Sequence, residues 1–409
     1  MIYQKFQKHR KKFFLASFLY LVVFSANLLY DSIPDEIYAI NGETEEIHLT
    51  VPVTFQKTEE SVPVFQNNSP SKSSSDILKR YSLSCRFLNL IPVKDVSVCV
   101  VEKSYVMPSG MPIGIYTKTK GILIVGTGKV TAADGLVCEP ADQIVQSGDY
   151  IMTVNGAEIS DKEELIRLVN DSGGDAVVLG ILRDQEMIEL KINPAALKDG
   201  SYKLGIWVRD DMAGVGTLTY IKQDMEYGAL GHPVSDGDTG EMIRLSEGSV
   251  YSTDIVGIVK GKDGTPGELT GVINYKEENR MGTIEQNTRT GIYGKLDKVP
   301  EEMEEAYVEV GVKQEIRQGG AYILSSLDGN LHQYQIEIDE VDFSGEEENK
   351  GILFHVTDER LLSETGGIVQ GMSGSPILQD GKIIGAVTHV FISDATKGYG
   401  VFIEKMLGH

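Results

Sequence analysis

Glycine punctuation is the feature that most limits the fold. The chain holds 44 glycines in 409 residues, and many of them sit where short apolar, β-branched runs end. A glycine inside a helix costs about 1 kcal/mol relative to alanine. In a hairpin it supplies the positive φ that other residues resist. The pattern therefore predicts many short strands joined by tight turns, a mainly β (β-rich α+β) protein rather than a helical bundle. The length exceeds what one hydrophobic core supports, so several domains are expected.

Charge narrows the partners. Asp and Glu outnumber Lys and Arg by 60 to 38, a formal charge of −22, which disfavours a phosphate-binding surface and hence nucleic acid. The cysteines, Cys85, Cys99 and Cys138, have neither metal-type spacing nor an even disulfide framework. They read as small buried apolar residues, with a Cys85–Cys99 bridge left open should the compartment be oxidising.

The amino terminus carries Lys5, Lys8, Arg10, Lys11 and Lys12, then an apolar run from Phe13 to Tyr30, then Asp31, Asp35 and Glu36. Basic flank, apolar run and acidic flank predict a membrane segment with its positive end in the cytoplasm, at the short end of spanning length. No clear small-x-small site closes the run, so a signal anchor is favoured over a cleaved signal peptide. Residues 1–35 are read as tail and anchor, with the bulk of the chain outside the cytoplasm. Residues 36–105 are read as strands interrupted by a linker, because Lys57 to Asp76 is polar, serine-rich and broken by Pro63 and Pro70. Such a stretch buries too little surface to offset its ordering entropy.

Residues 106–195 read as a small module. Gly148 to Gly156 is an apolar alternation feeding an Asn155-Gly156 turn. Leu165, Ile166, Leu168 and Val169 recur at helical spacing behind a Ser160/Glu163 capping box. Together these resemble a PDZ domain of the circularly permuted type found in bacterial peptidases. The resemblance implies peptide capture by strand addition at Ile113, Gly114 and Ile115. A plain turn at Gly114 is the simpler alternative.

Residues 196–409 hold the sharpest motif, Gly371-Met372-Ser373-Gly374-Ser375-Pro376. A serine attacks a carbonyl when its hydroxyl is exposed and neighbouring N–H groups can turn to the developing oxyanion, which small flanking residues permit. Two strands joined by an Asp380-Gly381 turn are expected behind it. The residues alone leave the partners open: Ser375 is two places away, His389 competes with His232 as base, and Glu359, Glu364 or Asp380 could orient an imidazole. His355 reads as core or surface.

The nucleophile loop resembles that of chymotrypsin-like serine peptidases, implying a double-β-barrel domain. More closely, Gly231-His232-Pro233, Val356-Thr357-Asp358, the serine loop and Gly385-Ala386-Val387-Thr388-His389-Val390 look like the stage IV sporulation protein B serine peptidase family of endospore-forming bacteria. Anchor, linker, PDZ module and peptidase come in that family's order. The resemblance implies Ser373 as nucleophile, His232 as base, Asp358 as the third member, and N–H groups of Gly371 and Ser373 as the oxyanion hole. It also implies a membrane-tethered endopeptidase in the space between forespore and mother cell. Such an enzyme cleaves itself near the linker, then cleaves a membrane-bound regulator so that a sigma-factor processing protease is activated.

No cofactor is required for acyl-enzyme chemistry. No metal site is expected either: Asp236, Asp238 and Glu247 mimic a calcium loop, but Gly240 supplies no ligand and Glu241 stands where glycine belongs. The competing class is a non-catalytic PDZ scaffold with a decayed peptidase domain.

Overall fold

The computed structural model describes residues 33–42, 53–57, 77–87 and 89–408, apart from 263, 301–302, 304–305 and 344–346, with a few isolated positions between 17 and 30. The apolar run and linker thus lie largely outside the described residues. Among those described, no helix is long and apolar enough to cross a membrane.

Strand Pro112–Thr127 belongs to two bodies at once. Its first half pairs with Leu245–Val259 on one edge and with Ile206–Ile221 on the other. Beyond Gly121, where φ is +83°, the same strand pairs with Ile206–Arg209 and with Tyr150–Ile151. Gly121 is required because an added Cβ would lie 2.5 Å from the Met152 sulfur and 2.9 Å from the Ile151 carbonyl. Thr119 marks the change of direction, its hydroxyl donating to the Gly121 carbonyl at 2.6 Å.

The first body is a ring. Pro112–Thr127, Ile206–Ile221, Glu226–Ala229, Gly291–Leu296, Arg280–Thr288 and Leu245–Val259 pair in turn and close on Pro112–Thr127. Ile113, Leu218, Ala229, Val250 and Ile292 fill it. The second is the closed barrel of Gly319–Ser325, His332–Val341, Ile352–Val356, Asp394–Phe402, Lys382–Phe391 and Pro376–Gln379. Strand His332–Val341 shows why it closes: Tyr334, Ile336 and Ile338 are buried while Gln333, Gln335 and Glu337 face out, the period-two alternation of a sheet with one apolar side. Asp380-Gly381 forms the expected turn, both residues at positive φ. The two barrels meet through Val106, Tyr220, Ile383 and Val401, with the Tyr220 hydroxyl donating to the Met406 carbonyl at 3.0 Å.

A long hairpin, Leu245–Val259 with Gly267–Ile273, reaches from the first barrel to the second. Leu269 joins the second core, and Gly267-Glu268 pairs in parallel with Val369-Gln370, just ahead of the serine loop.

The small module lies inside the first barrel's sequence, between Gly121 and Arg209. Strands Tyr150–Val154, Val177–Arg183 and Glu186–Ile192 carry helix α1 (Lys162–Asp171) on a core of Ile122, Ile151, Leu165, Val169, Leu179 and Ile181. The Asn155-Gly156 turn is present with both residues at positive φ. The helix starts one residue later than the sequence suggested: Asp161 is its cap, accepting from the Glu164 N–H at 2.8 Å.

Two expectations are corrected by this topology. The divisions at 105/106 and 195/196 do not separate module from peptidase, because residues 112–119 are a barrel strand. Ile113, Gly114 and Ile115 are paired on both edges, with Ile113 fully buried, so no edge is open for a peptide to join. An added Cβ at Gly114 would lie 2.5 Å from the Thr253 hydroxyl and 2.6 Å from Ile273, so the space above it is filled.

The amino-terminal residues form a separate sheet of Glu36–Ile40, Ile91–Val101, Ile77–Phe87 and Val53–Lys57. Cys85 stands opposite Lys94 and Cys99 opposite Arg80, too far along the ladder for a bridge, and both are free thiols. Burial pushes each thiol up to about 11.

Candidate active site

A cleft of about 510 Å³ runs along the seam between the barrels. The first barrel lines it with Met212–Val215, Leu230 and His232–Ser235, and the second with Ile368–Gly371, Ser373 and Thr388–Val390. Ser373 and His232 therefore share one cleft. Their segments are tied through the main chain: the Thr217 N–H donates to the Ser373 carbonyl at 2.9 Å, and the Leu230 N–H donates to the Thr217 carbonyl at 3.2 Å.

The turn that delivers His232 is an unusual one. Leu230 and Gly231 both have φ of +71°, so a left-handed pair ends strand Glu226–Ala229 and swings the next residue to the cleft. Leucine there carries a steric cost of about 1 kcal/mol or more, as strained positions beside functional groups do. The His232 Nδ1 lies 2.8 Å from the Pro233 carbonyl. A carbonyl oxygen only accepts, so Nδ1 carries the proton and Nε2 keeps its lone pair. Burial holds His232 below the usual histidine range, partly opposed by the Pro233 carbonyl, so the imidazole is neutral at neutral pH.

The Ser373 hydroxyl donates to the Thr388 carbonyl at 2.9 Å. Its proton thus rests on the main chain rather than on an imidazole. His389, next along the same strand, has its ring centre 5.4 Å from that of His232. Burial first, then the charges of His232 and Lys350, push His389 down to about 4.

The serine loop alternates between occupied and free amides. The Met372 N–H donates to the Val369 carbonyl at 3.1 Å and that of Gly374 to the Val387 carbonyl at 2.8 Å. The N–H groups of Gly371 and Ser373 have no acceptor among the described residues. They are the two amides to which the family resemblance assigns the oxyanion. Ser375 is fully buried with an unpartnered hydroxyl and does not line the cleft, so the alternative nucleophile falls away.

Asp358 does not join this group. It caps helix α2 (Glu359–Thr365), one carboxylate oxygen accepting from the Arg360 and Leu361 N–H groups at 3.0 and 3.2 Å. The other accepts from the Gln335 N–H at 3.3 Å. It is absent from the cleft lining, and among the described residues that line the cleft none is Asp, Glu, Lys or Arg. The third place expected for Asp358 is therefore corrected: the partner of the His232 Nδ1 is a main-chain carbonyl. His355 pairs with Asp339 at 2.8 Å on the second barrel, away from the cleft. The acidic turn at Asp236 and Asp238 is tied to Arg209 and forms no candidate metal cluster among the described residues.

Sequence reasoning missed Thr217, Pro233 and Thr388, whose parts are played largely by main-chain atoms.

Two six-stranded barrels with a histidine from one and a serine from the other in their seam define a double-barrel peptidase. The chain belongs to the SpoIVB peptidase S55 family, whose model matches residues 200–407. Among solved structures it is similar to the Rv3671c protease of M. tuberculosis in its inactive form, at 15% identity over 47% of this chain and 81% of that one, with a TM-score of 0.24. It is also similar to the PDZ domain of an SdrC-like protein from Listeria monocytogenes, at 21% identity over 22% of this chain and 87% of that one, with a TM-score of 0.18.

Proposed function

We propose that the chain is a serine endopeptidase in which Ser373 attacks the scissile carbonyl and His232 takes its proton at Nε2. The observation that carries this reading is the pair of unpaired amides, Gly371 and Ser373, flanking a hydroxyl that shares a cleft with a neutral imidazole. Attack forms the Oγ–carbonyl bond, and the tetrahedral oxyanion falls to the two amides. Collapse expels the amine, which takes the proton from His232, and water then hydrolyses the acyl-serine with His232 again as base. With a carbonyl rather than a carboxylate behind it, the imidazolium gains less stabilisation than in a triad. A cleft lined by uncharged residues favours an uncharged peptide segment at the scissile bond.

The sporulation reading belongs to the same proposal. The enzyme is tethered by its amino-terminal apolar run and faces the space between forespore and mother cell. It cleaves itself near the linker and then a membrane-bound regulator, so that a sigma-factor processing protease becomes active. Intact-mass measurement tests the core of it: wild type shortens during expression and Ser373→Ala stays full length. Equal shortening of both, together with failure of a serine-directed phosphonate to label position 373, would return the chain to the non-catalytic scaffold class.

A further inference from the structure

We propose that Thr217 is a positioning residue for the oxyanion loop, fixing the two peptide planes whose rigidity leaves the Gly371 and Ser373 amides directed outward. This rests on Ser373 being the nucleophile. Thr217 lies on strand Ile206–Ile221 of the first barrel, whereas the loop belongs to the second, and its residue is only 2% exposed. Its hydroxyl donates to the Gly371 carbonyl at 2.7 Å, and its N–H donates to the Ser373 carbonyl at 2.9 Å.

Each carbonyl shares a peptide plane with the next residue's N–H. The plane between Gly371 and Met372 is held at its oxygen by the Thr217 hydroxyl and at its nitrogen by the Val369 carbonyl, at 3.1 Å. The plane between Ser373 and Gly374 is held at its oxygen by the Thr217 N–H and at its nitrogen by the Val387 carbonyl, at 2.8 Å. Two planes pinned at both ends flank the Ser373 amide and directly follow the Gly371 amide, so both unpaired N–H groups are held in a fixed direction. Donors already aimed at the developing charge need no reorganisation when it forms, and that is how an oxyanion hole lowers a barrier.

The fit explains two glycines. A Cβ at Gly374, where φ is +97°, would lie 2.1 Å from the Thr217 carbonyl, so only glycine lets the loop approach this strand. A Cβ at Gly371, where φ is +99°, would come 2.9 Å from Leu269, the residue that the long hairpin places beneath the loop.

Removing the hydroxyl frees one end of the first plane while leaving the main-chain bond to Ser373 in place. Thr217→Val preserves side-chain shape, and Thr217→Ser preserves the hydroxyl. Losing a whole oxyanion donor typically costs about 10²- to 10³-fold in kcat, so a loosened pair is expected to cost about 10- to 100-fold. The experiment uses the full chain, an uncharged fluorogenic peptide that wild type cleaves, a peptide aldehyde that forms the tetrahedral adduct, and the matching product peptide. Thr217→Val should lose kcat with KM unchanged, lose affinity for the aldehyde by the same factor, and keep its affinity for the product; Thr217→Ser should recover most of the loss. The proposal is overturned if Thr217→Val keeps wild-type kcat, if its aldehyde affinity does not fall with kcat, or if Thr217→Ser falls as far as Thr217→Val. Ser373→Ala separates the two readings: activity surviving that change refutes the nucleophile, whereas its loss beside an unaffected Thr217→Val refutes only the positioning role.

Discussion

The Ser373 hydroxyl is bonded to the Thr388 carbonyl, 2.9 Å away, so the proposed nucleophile is held by the protein's own main chain. A hydrogen bond of this kind is worth about 0.5–1.5 kcal/mol net, which rotation towards the imidazole must give up. Ser373→Ala removes that bond at a half-buried site. Its melting temperature should fall by about 1–6 °C, on the scale of 2–4 °C per kcal/mol for a domain of this size. Peptide hydrolysis should fall by about 10⁴-fold or more. A thermal melt beside a fluorogenic assay checks both, and a variant that melts normally yet retains most activity would remove Ser373 from the chemistry.

Acid should act on the two imidazoles of the cleft. General-base catalysis needs His232 neutral, and burial lowers its pKa, so kcat/KM should hold its plateau to below pH 6.5 before falling. Stability follows the same sign. His389 titrates at about 4 when folded and near 6.5 when unfolded, so between those values the unfolded chain binds more protons. Stability is therefore full above about pH 6.5 and declines as pH falls towards 4. Denaturant midpoints measured across that window should flatten in His389→Gln, and an unchanged slope would show that His389 does not titrate this way.

Asp358 should behave as a helix cap. Asparagine caps about as well as aspartate, whereas alanine at such a position costs roughly 1 kcal/mol. Asp358→Asn should therefore keep both its melting temperature and its kcat within a few-fold of wild type, and Asp358→Ala should lower the melting temperature first. A loss of about 10³-fold in Asp358→Asn at unchanged stability would instead mean that the active enzyme brings this carboxylate to His232.

What the sequence made legible follows from where the information sits. Asn155-Gly156 and Asp380-Gly381 were readable as turns because positive φ demands particular residues, and both turns are present. Gly371 and Gly374 were readable because close approach at those positions excludes a Cβ. Asp358 misled because an aspartate just ahead of a helix satisfies a cap and a triad pattern equally well in sequence, and only its hydrogen bonds distinguish them. Pro233 and Thr388 were invisible because their carbonyls do the work, and every residue has a carbonyl. Ile113 to Ile115 were misread because an apolar alternation with a glycine fits the edge of a small domain as well as the wall of a barrel; pairing partners 100 residues or more away, such as Val215 and Val250 with Gly114 and Ile115, decided between them.

The shared strand carries the last prediction. A chain beginning at residue 196 holds the whole of the family's matched region but lacks Pro112–Thr119. Without that strand, Ile206–Ile221 and Leu245–Val259 each lose a partner along their length, and the first barrel opens to two raw edges flanking the cleft. Such a chain should be insoluble or molten and should not label with a serine-directed phosphonate. A chain that keeps residues from 105 onward, removes the nested module between Lys120 and Asp210, and joins the two strands by a two-residue Asn-Gly turn restores the pairing of Lys118 with Asp211 through a hairpin. It should fold cooperatively by thermal melt and label at Ser373. If the shorter chain folds and labels while the hairpin chain does not, residues 112–119 belong to the module and the nested topology is wrong.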